Sequence, residues 1–348
     1  MHMADALISP TVGLTMMAVT AGLAAYSIKK VQNDMDEKKV PLMGVLGAFV
    51  FAAQMINFTI PATGSSGHLG GGMLLAALLG PYAGFLAMAS ILLIQALFFG
   101  DGGLLAYGCN VFNMGFYTCF IAYPYIYKLI TRQGLNSRNI FMASMFSAVI
   151  GLQLGAFSVV LETIFSGRTE LPFETFAMLM QPIHLAIGIV EGLITASIIN
   201  FVWQARPELL EKAATGGSFA SLYLNKILKV FVVAAVIVGG ALSWFASVNP
   251  DGLEWSMEKV TGTTELTVSD EMHQLFAAIQ EKTAFLPDYN FKSTEESSAI
   301  ENENTWPAVS IGTTVSGLVG GAMTFALAGV IGLIISLIKR RENVSTSK

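Results

Sequence analysis

The sequence predicts an all-α polytopic membrane protein, and this prediction depends on its composition and on its apolar runs. Of 348 residues only 12% are charged, whereas 53% are apolar and the mean hydropathy is +0.62. A soluble domain of this size would expose far more charge to water. The net charge of −5 provides no basic surface for a nucleic acid, and the composition excludes disordered and collagen-like chains.

Nine apolar runs are the predicted membrane spans, because a helix needs about 20 residues to cross a bilayer. The third run is short, and Gly80-Pro81 separates it from the fourth. It is therefore either a short span or a re-entrant segment, and we count it as a span. The nine runs are 11–28, 41–60, 69–80, 82–99, 104–127, 140–165, 180–203, 226–246 and 309–338.

The basic residues predict the orientation of these spans. With the N-terminus outside and the spans alternating, the inside loops and the C-terminus hold 14 Lys and Arg residues. The outside segments hold only Arg168, Lys259, Lys282 and Lys292. Cytoplasmic loops carry the excess of basic residues in membrane proteins, so the N-terminus is predicted outside and the C-terminus in the cytoplasm.

Composition also divides the chain into modules. Residues 213–225 are predicted to be a linker, since Ala213-Ala214-Thr215-Gly216-Gly217-Ser218 is typical of one. It separates a seven-span unit, residues 1–212, from a two-span unit, residues 226–348. Between the last two spans, residues 247–308 are long and polar and are predicted to form an extracytoplasmic domain.

The first two residues, Met1 and His2, form a potential metal chelate. We expect Met1 to be retained because methionine removal generally needs a small second residue. The Met1 amine, the deprotonated His2 amide and the His2 Nδ1 can then surround one metal in a plane. Such nitrogen donors suit Ni(II) or Cu(II), and Co(II) is possible. A chance histidine at this position is the alternative.

His68 is the candidate fourth ligand. It lies in a glycine-rich loop, residues 61–72, that the topology places on the same side as the N-terminus. Glycines permit tight turns and close backbone approach there. A histidine that merely caps a helix at the membrane interface is the alternative.

Several runs give the chain a family resemblance. Met1-His2-Met3-Ala4-Asp5 resembles the Met-His-Ile-Pro-Asp-Gly start of the substrate components of nickel/cobalt energy-coupling-factor (ECF) transporters, the NikM/CbiM family. The start departs from that pattern at three positions, but the chelating atoms do not depend on those side chains. Further similar runs are Ser-Gly-His68-Leu, Gly80-Pro81-Tyr82-Ala83, 95–103, 110–115 and 184–192.

The second unit has a resemblance of its own. Residues 249–254 and 285–289 resemble the extracytoplasmic domain named for its Pro-Asp-Gly-Leu-Glu motif, which occurs in the small N components of these transporters. The resemblance therefore implies a seven-helix ECF substrate-component bundle fused to two further transmembrane helices that flank a small extracytoplasmic domain.

The resemblance implies that Met1, His2 and His68 bind the transported Ni(II) or Co(II). A ligating imidazole usually donates its other nitrogen to an acceptor. The candidate acceptors are Asp5, Asn110 and Asn113, followed by Gln54 and Asn57.

Two ionisable residues lie inside the seventh predicted span. His184 and Glu191 are two turns apart on one face of it, and we interpret them as interhelical hydrogen-bonding groups, with metal binding as the alternative. Glu162 could reach water from the end of its span. His273 is expected to be a solvated residue of the polar domain.

The chain cannot hydrolyse ATP through a phosphate loop, because the sequence contains no Gly-x-x-x-x-Gly-Lys-Ser/Thr motif. The energy for ATP-driven transport must therefore come from another protein. Besides membrane lipids, the resemblance implies a transmembrane coupling (T) component and a pair of cytoplasmic ATPases as partners. Gly44, Ala48 and Ala52 form a stripe of small residues that we assign to the coupling component, with packing inside the chain as the equal alternative.

Two other functions compete with this interpretation. The first is a metal permease driven by an ion gradient, which would need more buried carboxylates than Glu191 for proton coupling. The second is an intramembrane serine protease with Ser66 as nucleophile. Ser66 and His68 lie in one loop, whereas that chemistry needs them on separate helices.

Overall fold

The computed structural model describes residues 2–34, 37–168, 171–264, 266, 270–292 and 306–346, so Met1 lies outside the described residues. The described chain is mostly helical, as predicted. Its helices are α1 (Pro10–Asp34), α2 (Lys39–Gln54), α3 (Gly72–Leu79), α4 (Pro81–Ile94), α5 (Tyr107–Val111), α6 (Lys128–Thr131), α7 (Ser137–Ser166), α8 (Phe173–Ala205), α9 (Pro207–Thr215), α10 (Asn225–Gly240), α11 (Gly252–Thr261), α12 (Glu271–Thr283) and α13 (Ile311–Thr346).

Some of these helices continue as π-helix or are joined by short 3₁₀ turns. A π-helical stretch, Gln95–Phe99, extends α4, and another, Phe112–Tyr127, joins α5 to α6. Three-residue or four-residue 3₁₀ turns are Asp5–Leu7, Leu242–Phe245 and Pro287–Tyr289.

Five of the described helical stretches are long and apolar enough to cross a membrane. Each contains a long apolar stretch with few charged residues, and a helix satisfies its own backbone hydrogen bonds in lipid. Helix α2 is equally apolar but shorter. The five are Pro10–Gln32, Pro81–Phe99, Ser137–Ser166, Phe173–Ala205 and Ile311–Arg340.

The segment predicted as the short third span contains only the eight-residue helix α3, which is about 12 Å long. Its first residue follows the His68 loop, and its far end turns at Gly80. A Cβ on Gly80 would lie 3.2 Å from the Ala213 carbonyl oxygen. Ala213 lies in α9, which follows the C-terminal end of α8, whereas His184 lies in the N-terminal half of α8. The non-helical residues 68–71 and α3 together therefore carry the chain from one end of the bundle to the other.

The loop that contains His68 begins as a small hairpin. Strands β1 (Phe58–Ile60) and β2 (Ser65–Gly67) pair antiparallel. The second unit attaches here, because Ser66 also forms an isolated parallel bridge with Asp251. Asp251 begins helix α11 as a capping box, in which its carboxylate accepts from the Glu254 amide and the Glu254 side chain accepts from the Asp251 amide.

The stripe of small residues on α2 is covered by the chain's own last helix, so our assignment of this face to a coupling partner is wrong. A Cβ on Gly44 would lie 2.9 Å from the Phe325 carbonyl oxygen in α13. Ala48 faces Gly321 of the same helix, and Ala52 is fully buried. Small residues allow the two backbones to approach closely, which is the alternative we left open.

We expect Gly44→Ala to destabilise the isolated chain by about 1–3 kcal/mol, because the added methyl group meets the carbonyl oxygen and the ring of Phe325 in α13. Thermal melting of the purified protein in detergent would measure this. Gly22→Ala on α1 is the matched control, since nothing lies within 4 Å of its Cβ position. An unchanged melting temperature for Gly44→Ala would contradict the packing described here.

Candidate metal centre

A cavity of about 490 Å³ opens between the seven-span unit and the polar part of the second unit. His2 and His68 lie in its wall. Carboxylates from both units surround them, so the cavity has the charge that attracts cations. These carboxylates are Asp5, Asp101, Asp251, Glu254 and Asp288.

The structure brings the two predicted histidines together. Their rings stack with centroids 4.9 Å apart and planes 7° from parallel. His68 Nδ1 is 3.0 Å from the Leu69 carbonyl oxygen, which requires Nδ1 to carry the proton and leaves the lone pair on Nε2. His68 Nε2 is buried and has no hydrogen-bond partner among the described residues.

The acceptor for the His2 imidazole is Asp101, a residue that sequence reasoning did not select. His2 Nδ1 lies 3.1 Å from Asp101 Oδ1, and the Tyr289 hydroxyl of the second unit donates to the same carboxylate. The only sequence signal for Asp101 was its position in the family-like run 95–103. In the structure it lies between Gly100 and Gly102, both of which have positive φ. Chelation through Nδ1 would therefore replace the Asp101 contact.

Burial and charge set the protonation of these groups. Burial alone would raise the pKa of Asp101, but the charge of His2 and hydrogen bonds from His2 and Tyr289 outweigh it and hold the pKa well below its ordinary value. Burial lowers the pKa of His68 to about 3. His68 is consequently neutral near pH 7 and keeps its lone pair for a metal.

The predicted acceptors Asp5, Asn110 and Asn113 do not contact either imidazole, so that part of the prediction is wrong. Asn110 instead holds the main chain of Met3: its Oδ1 accepts from the Met3 amide at 2.8 Å, and its Nδ2 donates to the Met3 carbonyl at 3.1 Å. The Gly103 amide donates to the same carbonyl at 2.8 Å. Asn110 thus fixes the residue after His2.

Asp5 and Asn113, the other two predicted acceptors, have similar structural roles. Asp5 accepts from the Ala106 amide at 2.9 Å, which ties the start of the chain to the segment before α5. Asn113 Nδ2 donates to Glu162 at 2.7 Å. Glu162 is buried, so the prediction that it reaches water is wrong. Of the weaker candidates, Asn57 lines the cavity without contacting an imidazole.

Glu191 holds the main chain just after His68. Its carboxylate accepts from the Gly70 amide at 2.7 Å and from the Gly71 amide at 3.0 Å. Gln54 donates to the Gly70 carbonyl at 2.8 Å and accepts from Gln95. We predicted hydrogen bonds between helices for Glu191, but its partners are amides of the His68 loop. A Cβ on Gly70 would lie 2.8 Å from Glu191 Oε2, so this contact requires glycine.

The second unit closes one side of the cavity through main-chain contacts to the His68 loop. The Ser66 amide donates to the Pro250 carbonyl at 2.8 Å, and the Ser66 hydroxyl donates to the Asn249 carbonyl at 2.8 Å. The Ser66 hydroxyl is therefore directed at carbonyl groups rather than at an imidazole, which argues against a protease nucleophile.

His273 also joins the two units, so the prediction that it is solvated is wrong. Its Nε2 is 2.9 Å from the carbonyl oxygens of Asp5 and Ile8, and its Nδ1 is 2.7 Å from Asp270. Gln280 adds hydrogen bonds to the carbonyls of Ala96 and Gly102. These contacts connect α12 to the segments that carry His2 and Asp101.

Side chains alone do not assemble a full ligand set. Within the described ranges, no three His, Cys, Asp or Glu side chains are close enough to hold one ion. A chelate that uses the main-chain nitrogens of the first two residues needs only two imidazoles. His184 lies nearby, in a smaller cavity that it shares with His68.

Both units of the chain match known protein families. The family model described as the cobalt uptake substrate-specific transmembrane region (CbiM) matches residues 2–209, and the PDGLE domain model matches residues 225–337. A protein of Archaeoglobus fulgidus, provisionally named fused nickel transport protein NikMN, is 35% identical over 69% of this chain and 79% of its own. The fused nickel transport protein NikMN of Rhodobacter capsulatus is 32% identical over 60% of this chain and 64% of its own.

A solved structure is also similar. The crystal structure of a truncated transition metal transporter is 32% identical, with a TM-score of 0.53, and the match covers 59% of this chain and 99% of that one. The chain therefore belongs to the cobalt uptake substrate-specific transmembrane region (CbiM) family and carries a PDGLE domain in its second unit.

Proposed function

We propose that this chain is the metal-capturing membrane component of an ATP-driven ECF importer for Ni(II) or Co(II). The observation that carries the proposal is the pair of stacked imidazoles, His2 and His68, in the wall of an acidic cavity at the start of a chain of this family. The relatives named as nickel transport proteins support nickel, and the cobalt uptake family model supports cobalt.

The proposed ligands are the Met1 amine, the amide nitrogen and Nδ1 of His2, and Nε2 of His68. The His68 nitrogen follows from its tautomer, since Nδ1 donates to the Leu69 carbonyl. Four nitrogens suit the tetragonal preference of Ni(II) and are accepted by Co(II). When the metal draws Nδ1 of His2 away, Asp101 keeps the hydrogen bond from Tyr289.

We infer that the cavity, the N-terminus and the PDGLE domain face the outside of the cell and that the C-terminus lies in the cytoplasm. The sorting of basic residues supports this orientation. A T component and a pair of ATPases would supply the inward step. Because the chain's own α13 covers the α2 stripe, that partner must contact another face.

Calorimetric titration of the purified full-length chain tests the proposal. We expect one Ni(II) or Co(II) per chain. At pH 7, about two protons per metal should be released from the His2 amide and the N-terminal amine, in addition to any proton that the His2 imidazole carries. His68 adds none, because its pKa of about 3 leaves it already neutral. Affinity should fall in acid. Repeating the titration in buffers of different ionisation enthalpy measures the released protons.

Two outcomes would contradict the proposal. One is a chain with a free N-terminus that binds neither metal. The other is uptake in vesicles that follows an ion gradient without ATP and without the partner subunits, which would favour the permease.

A further inference from the structure

His184 has a ring nitrogen that has no partner among the described residues. Its side chain is only 1% exposed, and Nδ1 is 2.8 Å from the Met180 carbonyl oxygen one turn earlier on α8. Nδ1 must carry the proton in that contact, so the lone pair lies on Nε2. His184 Nε2 is buried and has no hydrogen-bond partner within the described part of the chain. A buried acceptor left in this state is unusual and needs an explanation.

A small cavity lies between His184 and His68. Both histidines line it, together with Asp251 of the second unit, and its volume of about 10 Å³ suits one water molecule or one ion. His68 also lines the large acidic cavity, so it separates the two spaces. The Nε2 of His68 is likewise buried and has no hydrogen-bond partner in the part of the chain that the structure describes. Two histidines whose Nε2 atoms have no hydrogen-bond partner among the described residues therefore line one space of the size of an ion.

We propose that His68 and His184 form a second, inner metal station through their Nε2 atoms. The proposal rests on the proposed function and extends it, because His68 would belong first to the outer chelate and then to the inner pair. The substrate class is a divalent transition-metal ion that accepts imidazole nitrogen, such as Ni(II) or Co(II). With two imidazoles and no third clustered side chain among the described residues, the station binds more weakly than four nitrogens do, as a transit site must.

The competing explanation is a structural water that donates to both nitrogens. Such a water would satisfy the same lone pairs and would make His184 a packing residue. The two explanations differ in one observable: only the metal station gives a metal-dependent signal that requires His184.

The experiment uses the full-length chain carrying two extra residues before Met1, which break the outer chelate. Co(II) is added, and its visible d–d absorption and binding by equilibrium dialysis are followed. We expect residual binding of about one Co(II), weakened at least about tenfold by His184→Asn. The asparagine amide can still donate to the Met180 carbonyl, and it lacks a group at the position of Nε2. Melting temperature reports whether the variant is folded.

The second part of the experiment uses the chain with its native N-terminus. His184→Asn should leave Ni(II) affinity within about twofold but reduce uptake in vesicles with the partner subunits at least about tenfold. If the extended chain binds no Co(II), or binds it equally with His184→Asn, the inner station is refuted while the outer chelate stands. If the native chain itself binds no Ni(II), the proposed function fails instead.

Discussion

Two residues added before Met1 are expected to remove the tight metal binding and to abolish uptake. The extension turns the Met1 amine into an amide and moves the new amine away from His2. The amine, one of the four proposed nitrogen ligands, is then lost, and the His2 amide loses the fused amine ring that favours its deprotonation. Because the loss of even one hydrogen bond to a ligand costs 10–100-fold in metal affinity, we expect a decrease of more than about 100-fold. Calorimetric titration with Ni(II) measures it.

The length of the extension matters. One added residue would place the histidine third, and an amine, two amides and an imidazole can themselves chelate nickel. Two added residues avoid that replacement. The matched control carries the same two residues at the C-terminus, where binding should be unchanged. His2→Ala should reproduce the loss with the native amine in place. Tight Ni(II) binding by the N-terminally extended chain would show that the first amine is not a ligand.

The outline of the fold could be predicted from the sequence because apolar runs and basic loops are local signals. The run at 140–165 corresponds to α7, Ser137–Ser166, and the run at 309–338 corresponds to the first part of α13, Ile311–Thr346. Periodicity gives no information on which helices touch. The stripe at Gly44 is compatible with a partner or with α13, and only the tertiary structure decides between them.

The candidate centre could be predicted in part for a similar reason. His2 and His68 stand out because the chain has only four histidines and because chelation is a property of adjacent atoms. Asp101 and Tyr289 could not be selected, since their contact joins residues 188 positions apart. His273 was misjudged because a polar sequence suggests solvent, whereas both of its ring nitrogens meet oxygens at the junction of the two units.

Removing the Glu191 carboxylate is the second change with a large expected effect. Glu191→Ala leaves the amides of Gly70 and Gly71 buried without their acceptor. Each orphaned donor costs about 1–3 kcal/mol, so we expect the free energy of unfolding to fall by about 2–5 kcal/mol. Metal affinity should fall as well, because these amides fix the turn that positions His68. Thermal melting and Ni(II) titration measure the two effects.

Two further variants separate position from charge. Glu191→Gln keeps one carbonyl acceptor but turns an NH₂ group toward the other amide, so it should lie between the wild type and Glu191→Ala in both measurements. Glu174→Ala removes an exposed carboxylate from the first turn of the same helix and should cost less than about 1 kcal/mol without affecting the metal. If Glu191→Ala melts at a lower temperature but binds Ni(II) as tightly as the wild type, then Gln54 and the strand contacts of Ser66 suffice to hold His68, and Glu191 only stabilises the bundle.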